Sequence, residues 1–161
     1  MKEILKIIIA DDNTAIVDCM KKKIEEDERF KVVGIALNEE EELELIEKEK
    51  AHLVITDLKK NGEYTGFDII EQFKNKENSP IFFVISGMTA YYIQEIRRLK
   101  IRYYLNKPFE NDIFMVMLDE IYNEVFPKRI MIIQDVEDSV KEEKKSIFER
   151  IYDMLKKRVG I

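Results

Sequence analysis

Five polar residues, each closing an apolar run, are the ones best suited to do chemistry in this sequence. Asp11 and Asp12 follow Leu5 to Ala10, Asp57 follows Leu53-Val54-Ile55-Thr56, Ser86 follows Pro80 to Ile85, and Lys107 comes just after Tyr103-Tyr104-Leu105. Where such ends meet, three carboxylates meet as well. Each pair at ~4 Å repels by about 4 kcal/mol at an effective dielectric near 20, so the three cannot all stay ionised without a partner. A hard divalent cation solves this, because two or three carboxylates with a backbone carbonyl and waters suit octahedral Mg²⁺. Lys107 adds a point charge able to grip a phosphate oxygen, and Ser86 adds a hydroxyl. Together these parts describe phosphoryl transfer to a carboxylate, with Asp57 attacking in line while metal and lysine neutralise the equatorial oxygens. The plainer alternative makes each an ordinary turn residue, Asp57 merely capping its strand. It must explain four coincidences at once.

The elements that would position these groups can be read from hydrophobic spacing. Leu53 to Leu58 is a short, continuous apolar run with β-branched members, the pattern of a strand buried on both faces of a parallel sheet. Leu5 to Ala10, Val32 to Ala36, Pro80 to Ile85 and Tyr103 to Leu105 supply four more. Helical spacing alternates with them. Val17, Met20 and Ile24 follow an Asn13 cap, and Cys19 falls among those apolar positions. Asn38 opens a helix that begins Glu39 to Glu42 and ends in Lys48 and Lys50, an order that complements the helix dipole and predicts a solvated acidic face. Ile69, Ile70 and Phe73 form a third stripe. Ile93, Ile96 and Leu99 form a fourth, in a helix expected to start at Thr89. The last runs through Ile113, Phe114, Met117, Leu118, Ile121 and Val125 until Pro127 stops it. Five strands alternating with five helices predict an α/β fold, a doubly wound parallel sheet with right-handed crossovers.

Composition narrows the function classes. The 161 residues are 45% hydrophobic, enough for one well-buried domain, and the net charge of -6 argues against non-specific coating of nucleic acid or anionic membrane. A single cysteine excludes a disulfide framework and a thiolate zinc site. No run approaches the ~20 apolar residues needed to span a bilayer, and a cytoplasmic location without membrane contact is expected. His52, the only histidine, opens the third strand, far from its carboxyl end, and reads as structural. Any phosphate should therefore come from outside the chain.

In their order and positions, Asp11-Asp12, Asp57, Ser86-Gly87 and Lys107-Pro108-Phe109 closely resemble the receiver domain of bacterial two-component response regulators, over roughly residues 4 to 126. The resemblance implies a flavodoxin-like sheet of order 2-1-3-4-5. It implies Asp57 as phosphoacceptor, Asp12 as direct metal ligand with Asp11 acting through water, and the Lys59 carbonyl as a further ligand. Ser86 and Lys107 would contact the phosphoryl group, Tyr104 would be the switch aromatic, and the Lys107-Pro108 bond would be cis. The implied donor is a sensor histidine kinase or phosphotransfer protein. The implied output is a downstream effector or a second copy, engaged through the face of the fourth helix, fifth strand and fifth helix. There are departures. Lys60-Asn61 stands where Met-Pro is usual, and Gly66 comes one residue late. Lys59 and Met88 occupy the two positions that tune phosphate lifetime, and neither can position an attacking water, so slow self-dephosphorylation is expected.

Two other readings remain at this level. An aspartyl-phosphate hydrolase of the haloacid dehalogenase type also uses Asp, Ser or Thr, Lys and Mg²⁺, but it needs an acid where Asn13 stands. A receiver fold kept for contact alone, without phosphorylation, sits badly with the complete set of polar residues. Residues 127 to 161 carry nine Lys or Arg against seven Asp or Glu, leaving -8 on the first 126, and are read as a separate extension. Arg129 to Ile133 suggests a short strand, and Val136, Val140, Ile147, Ile151 and Met154 an amphipathic helix. Docking or tail-mediated dimerisation is the favoured role, in preference to direct DNA contact.

Overall fold

The computed structural model describes residues 3–87 and 89–127. The strand and amphipathic helix expected beyond Pro127 lie outside the described residues. All the elements below belong to the unit Met1–Phe126. In chain order they are β1 (Leu5–Ala10), α1 (Thr14–Ile24), β2 (Phe30–Ala36), α2 (Glu39–Glu49), β3 (Leu53–Thr56), α3 (Gly66–Phe73), β4 (Ile81–Ser86), α4 (Ile93–Arg98), β5 (Tyr103–Asn106) and α5 (Asn111–Val125). The strands form one parallel sheet in the order β2-β1-β3-β4-β5, the flavodoxin-like arrangement.

Alternation along the strands builds two cores. Ile7, Ile9, Leu53, Ile55, Phe83 and Ile85 point to the face covered by Val17, Met20 and Ile24 of α1 and by Phe114, Leu118 and Ile121 of α5. Ile8, Val54, Phe82 and Val84 point to the other face, against Ile46 of α2, Ile69, Ile70 and Phe73 of α3, and Ile96 and Leu99 at the end of α4. The central strands are therefore apolar at nearly every position, as a sheet covered on both faces requires. The starts of α1 and α2 follow the expected caps. The Asn13 side chain accepts from the Ala15 and Ile16 amides at 3.2 and 3.3 Å, and Asn38 accepts from Glu41 at 2.9 Å.

Four local expectations need correction. Glu42 is not solvated but fully buried. The fourth helix starts at Ile93, not Thr89, because the buried Thr89 hydroxyl donates across to Asn106 Oδ1 at 3.0 Å and holds that segment against the sheet end. Ile113 is 48% exposed, since Phe114 is the residue of that pair that turns inward. Cys19 lies on the outer side of α1.

Gly66, late by one residue in the sequence, still starts α3 hard against the loop that follows β3. A Cβ there would stand 2.8 Å from Leu58 Cα and 2.9 Å from the Asp57 carbonyl oxygen, both backbone atoms that cannot swing away. Gly66→Ala is expected to destabilise the fold by about 1–3 kcal/mol through overpacking, read from urea unfolding. A variant as stable as wild type would show that the loop yields without cost.

Candidate functional site

The carboxyl edge of the sheet places the expected residues by register. The chain changes its direction of progress between β1 and β3, the adjacent strands whose last partners are Ala10 and Thr56. Asp11 and Asp57 are the next residues on each, so they leave the sheet side by side at the switch point, the usual location of a ligand site in open α/β folds. Ser86 ends β4 opposite Asn106 of β5, and its carbonyl accepts the Lys107 amide at 3.0 Å. Lys107 thus starts from the sheet's edge strand. The Lys107-Pro108 peptide is cis.

From there the Lys107 ammonium reaches both acids, 2.5 Å from Asp11 Oδ2 and 2.7 Å from Asp57 Oδ2. Burial disfavours its charge, but hydrogen bonds and attraction from Asp11 and Asp57 outweigh that and hold its pKa above the ordinary lysine value. The repulsion expected among three carboxylates is thus relieved, for two of them, by the lysine itself. The third is held separately. Asp12, exposed, accepts the Asn61 amide on Oδ2 at 2.6 Å, and Asn61 in turn donates its side-chain amide to the Leu37 carbonyl at 3.2 Å. Asp11 Oδ1 accepts from Asn13 at 2.9 Å, and Asp57 Oδ1 from the Lys59 amide at 3.2 Å. The Lys59 side chain turns away from the acids and lies over the Tyr64 ring. Tyr104 on β5 is 39% exposed.

Among the described residues no group of three acidic, histidine or cysteine side chains is drawn together tightly enough to hold a metal. The donor chemistry nevertheless fits Mg²⁺: Asp11, Asp12 and Asp57 offer hard carboxylate oxygens, and among the described residues the only imidazole, that of His52, is at the opposite end of β3. There the His52 Nδ1 accepts the Lys6 amide at 3.0 Å and its ring meets Phe126 edge-on. Burial, with the nearby Lys6 charge, pushes its pKa down, in keeping with a structural histidine.

The profile of the response regulator receiver domain matches residues 7–119. This chain belongs to that family. This chain is 34% identical over 122 residues to a Bacillus subtilis protein named an uncharacterized transcriptional regulatory protein, YesN, covering 74% of this chain and 33% of that one. It is 29% identical to the transcriptional regulatory protein CitT of the same organism, covering 71% and 50%. The chain thus spans a third to a half of the length of these relatives. Among solved structures, the receiver domain of AraT, a response regulator from Geobacillus stearothermophilus, superposes with a TM-score of 0.69 at 25% identity, covering 78% of this chain and 98% of that one. The response regulatory domain of MrkE from Klebsiella pneumoniae shares the fold at a TM-score of 0.68 and 17% identity, covering 74% and 96%.

One feature of this receiver had no reading in the sequence. Lys60, in the place where Met is usual, and Glu42 of α2 form a buried ion pair, Nζ to Oε2 at 2.9 Å, with side chains 1% and 0% exposed. Burial pushes the Glu42 carboxyl above the usual carboxylate range, against the pull of Lys60. The signal was present in spacing: Glu42 lies four residues before the buried Ile46 and so shares its inward stripe.

Proposed function

We propose that this receiver takes a phosphoryl group on Asp57 from a sensor histidine kinase or phosphotransfer protein in a Mg²⁺-dependent reaction, and that the modification switches a partner-binding face. The observation that carries this reading is the Lys107 ammonium shared between Asp11 and Asp57 at the topological switch point. Asp57 Oδ forms the new P–O bond as the bond from phosphorus to the donor's imidazole nitrogen breaks, and that nitrogen leaves with its electron pair. Asp12, Asp57, the Lys59 carbonyl and, through water, Asp11 would hold the Mg²⁺. When bound, it neutralises charge building on the phosphoryl oxygens. Lys107 then exchanges a carboxylate oxygen for a phosphoryl oxygen, and the Ser86 hydroxyl supplies another contact.

Phosphorylation adds about -1.5 to -2 charges and three acceptor oxygens at Asp57. Ser86 moves toward them, and Tyr104, exposed here, turns into the space it leaves. The face of α4, β5 and α5 changes shape and favours one of two pre-existing states toward an effector or a second copy; α5 itself carries the exposed Ile113 and Val116. The chain acts as a signalling switch in the cytoplasm, and it loses its phosphate slowly. Lys59 is engaged with Tyr64, and the second lifetime position, Met88, lies outside the described residues. The hydrolase alternative is weakened by Asn13, whose side chain is occupied as the α1 cap.

The test is labelling by acetyl phosphate with Mg²⁺, read by intact mass. Wild type is expected to gain one phosphoryl group, Asp57→Asn none, and EDTA should abolish the label. Equal labelling of both proteins would reject the assignment.

A further inference from the structure

The buried Lys60 does more than neutralise Glu42. Neither oxygen of Glu42 meets hydrogen-bond geometry, although Oε2 is at ion-pair distance. The directed bonds of Lys60 Nζ go elsewhere, to the backbone carbonyl of Asp57 at 2.7 Å and to Thr56 Oγ1 at 3.1 Å. The main chain of Lys60 is closed on Glu63 by reciprocal hydrogen bonds, both 2.9 Å, while the Lys59 amide binds Asp57 Oδ1. One side chain therefore ties the two ends of the turn from Asp57 to Lys60 together, and Glu42 anchors that side chain to α2.

Stability alone gives no reason for this arrangement. Taking two ions out of water is costly, and an apolar pair of similar volume commonly holds a fold as well or better. What an apolar side chain cannot do is donate a hydrogen bond to the Asp57 carbonyl.

We propose that Lys60, held in place by Glu42, is a positioning residue that fixes the turn from Asp57 to Lys60 in the form the cation needs before the cation arrives. The inference rests on the reading of Asp57, Asp12 and Lys59 as the metal-binding groups. It adds that their geometry is set from outside the site, by a tether to α2. The acidic helix is thereby joined to the phosphoacceptor loop through a single ammonium.

The experiment compares wild type with Glu42→Leu/Lys60→Met, which replaces the ions by an apolar pair, and with Glu42→Gln, so that the outcome does not hang on one variant folding. Three quantities are read: Mn²⁺ affinity by electron paramagnetic resonance, amide exchange of residues 58 to 61 in metal-free protein, and the Mg²⁺ dependence of acetyl phosphate labelling. The double variant is expected to unfold near the wild-type temperature, yet to bind Mn²⁺ about tenfold more weakly, the usual effect of losing a group that orients a metal ligand. Its loop amides should exchange faster, and its labelling should need correspondingly more Mg²⁺ but approach the wild-type maximum. Glu42→Gln should show the same changes to a smaller degree. Folded variants that bind Mn²⁺ and exchange like wild type would overturn the positioning role. A wild type that takes no label would instead overturn the proposed function, and the exchange comparison would still decide whether Lys60 orders the loop.

Discussion

Lys107→Met is expected to lower the rate of Mg²⁺-dependent labelling of Asp57 by about 10²–10³-fold, the range found when a preorganised donor is removed from a charge-developing centre. The size follows from position. The ammonium sits within 2.7 Å of both Asp11 and Asp57 and is itself only 16% exposed, so water cannot take over its role at full strength. Methionine keeps most of the volume and removes the charge. The loss should fall on the maximal rate more than on Mg²⁺ half-saturation, because Lys107 is assigned to the phosphoryl oxygens and not to the metal. Stability gives a second readout. The Lys107 pKa is raised in the folded state, so its stabilising contribution is complete below the ordinary lysine value near 10.4 and is lost only as pH rises through the higher folded value. At neutral pH the variant should therefore be destabilised, and the difference should shrink in strong alkali. Labelling within a factor of three of wild type would remove Lys107 from the mechanism.

Glu42→Ala is expected to have the largest effect on stability of any single change outside the two cores, about 3–5 kcal/mol, because it strands the Lys60 ammonium in a buried place without its counter-ion. Both side chains are essentially inaccessible, which separates this pair from surface ion pairs such as Arg98 with Glu71, where little is at stake. The urea midpoint should fall sharply at neutral pH. Adding Lys60→Met, with leucine at position 42, should recover most of the loss, since an apolar pair leaves no orphaned charge. A single variant within about 1 kcal/mol of wild type would mean that Lys60 escapes to solvent or gives up its proton at little cost.

The fold was legible because its strands are short, continuous apolar runs and its helices carry clean stripes: Val17, Met20 and Ile24 are all buried, as are Ile69, Ile70 and Phe73. The edge residues were legible for the same reason, since a buried strand that ends in a carboxylate has only one place to put it. Local errors came where tertiary contacts overrode local pattern. Four consecutive glutamates look alike to a dipole argument, and it takes the four-residue step to the buried Ile46 to set Glu42 apart from Glu41. Thr89 has the chemistry of a helix cap, but its hydroxyl serves Asn106 instead. The reach of Lys107 to two acids and the hold of Asn61 on Asp12 bring together segments 96 and 49 residues apart in sequence, which no short-range pattern encodes.

The place of β5 at the rim of the sheet has a consequence for how the molecule comes into being. Asp11 and Asp57 are laid down early, but the amine that joins them is delivered just after β5, the last in chain order of the described strands. A ribosome-bound intermediate, or a product clipped before Lys107, carries Asp57 without the cationic bridge and is expected to take label no faster than Lys107→Met. On the proposed reading, competence to receive a signal is thus withheld until β5 has joined the sheet.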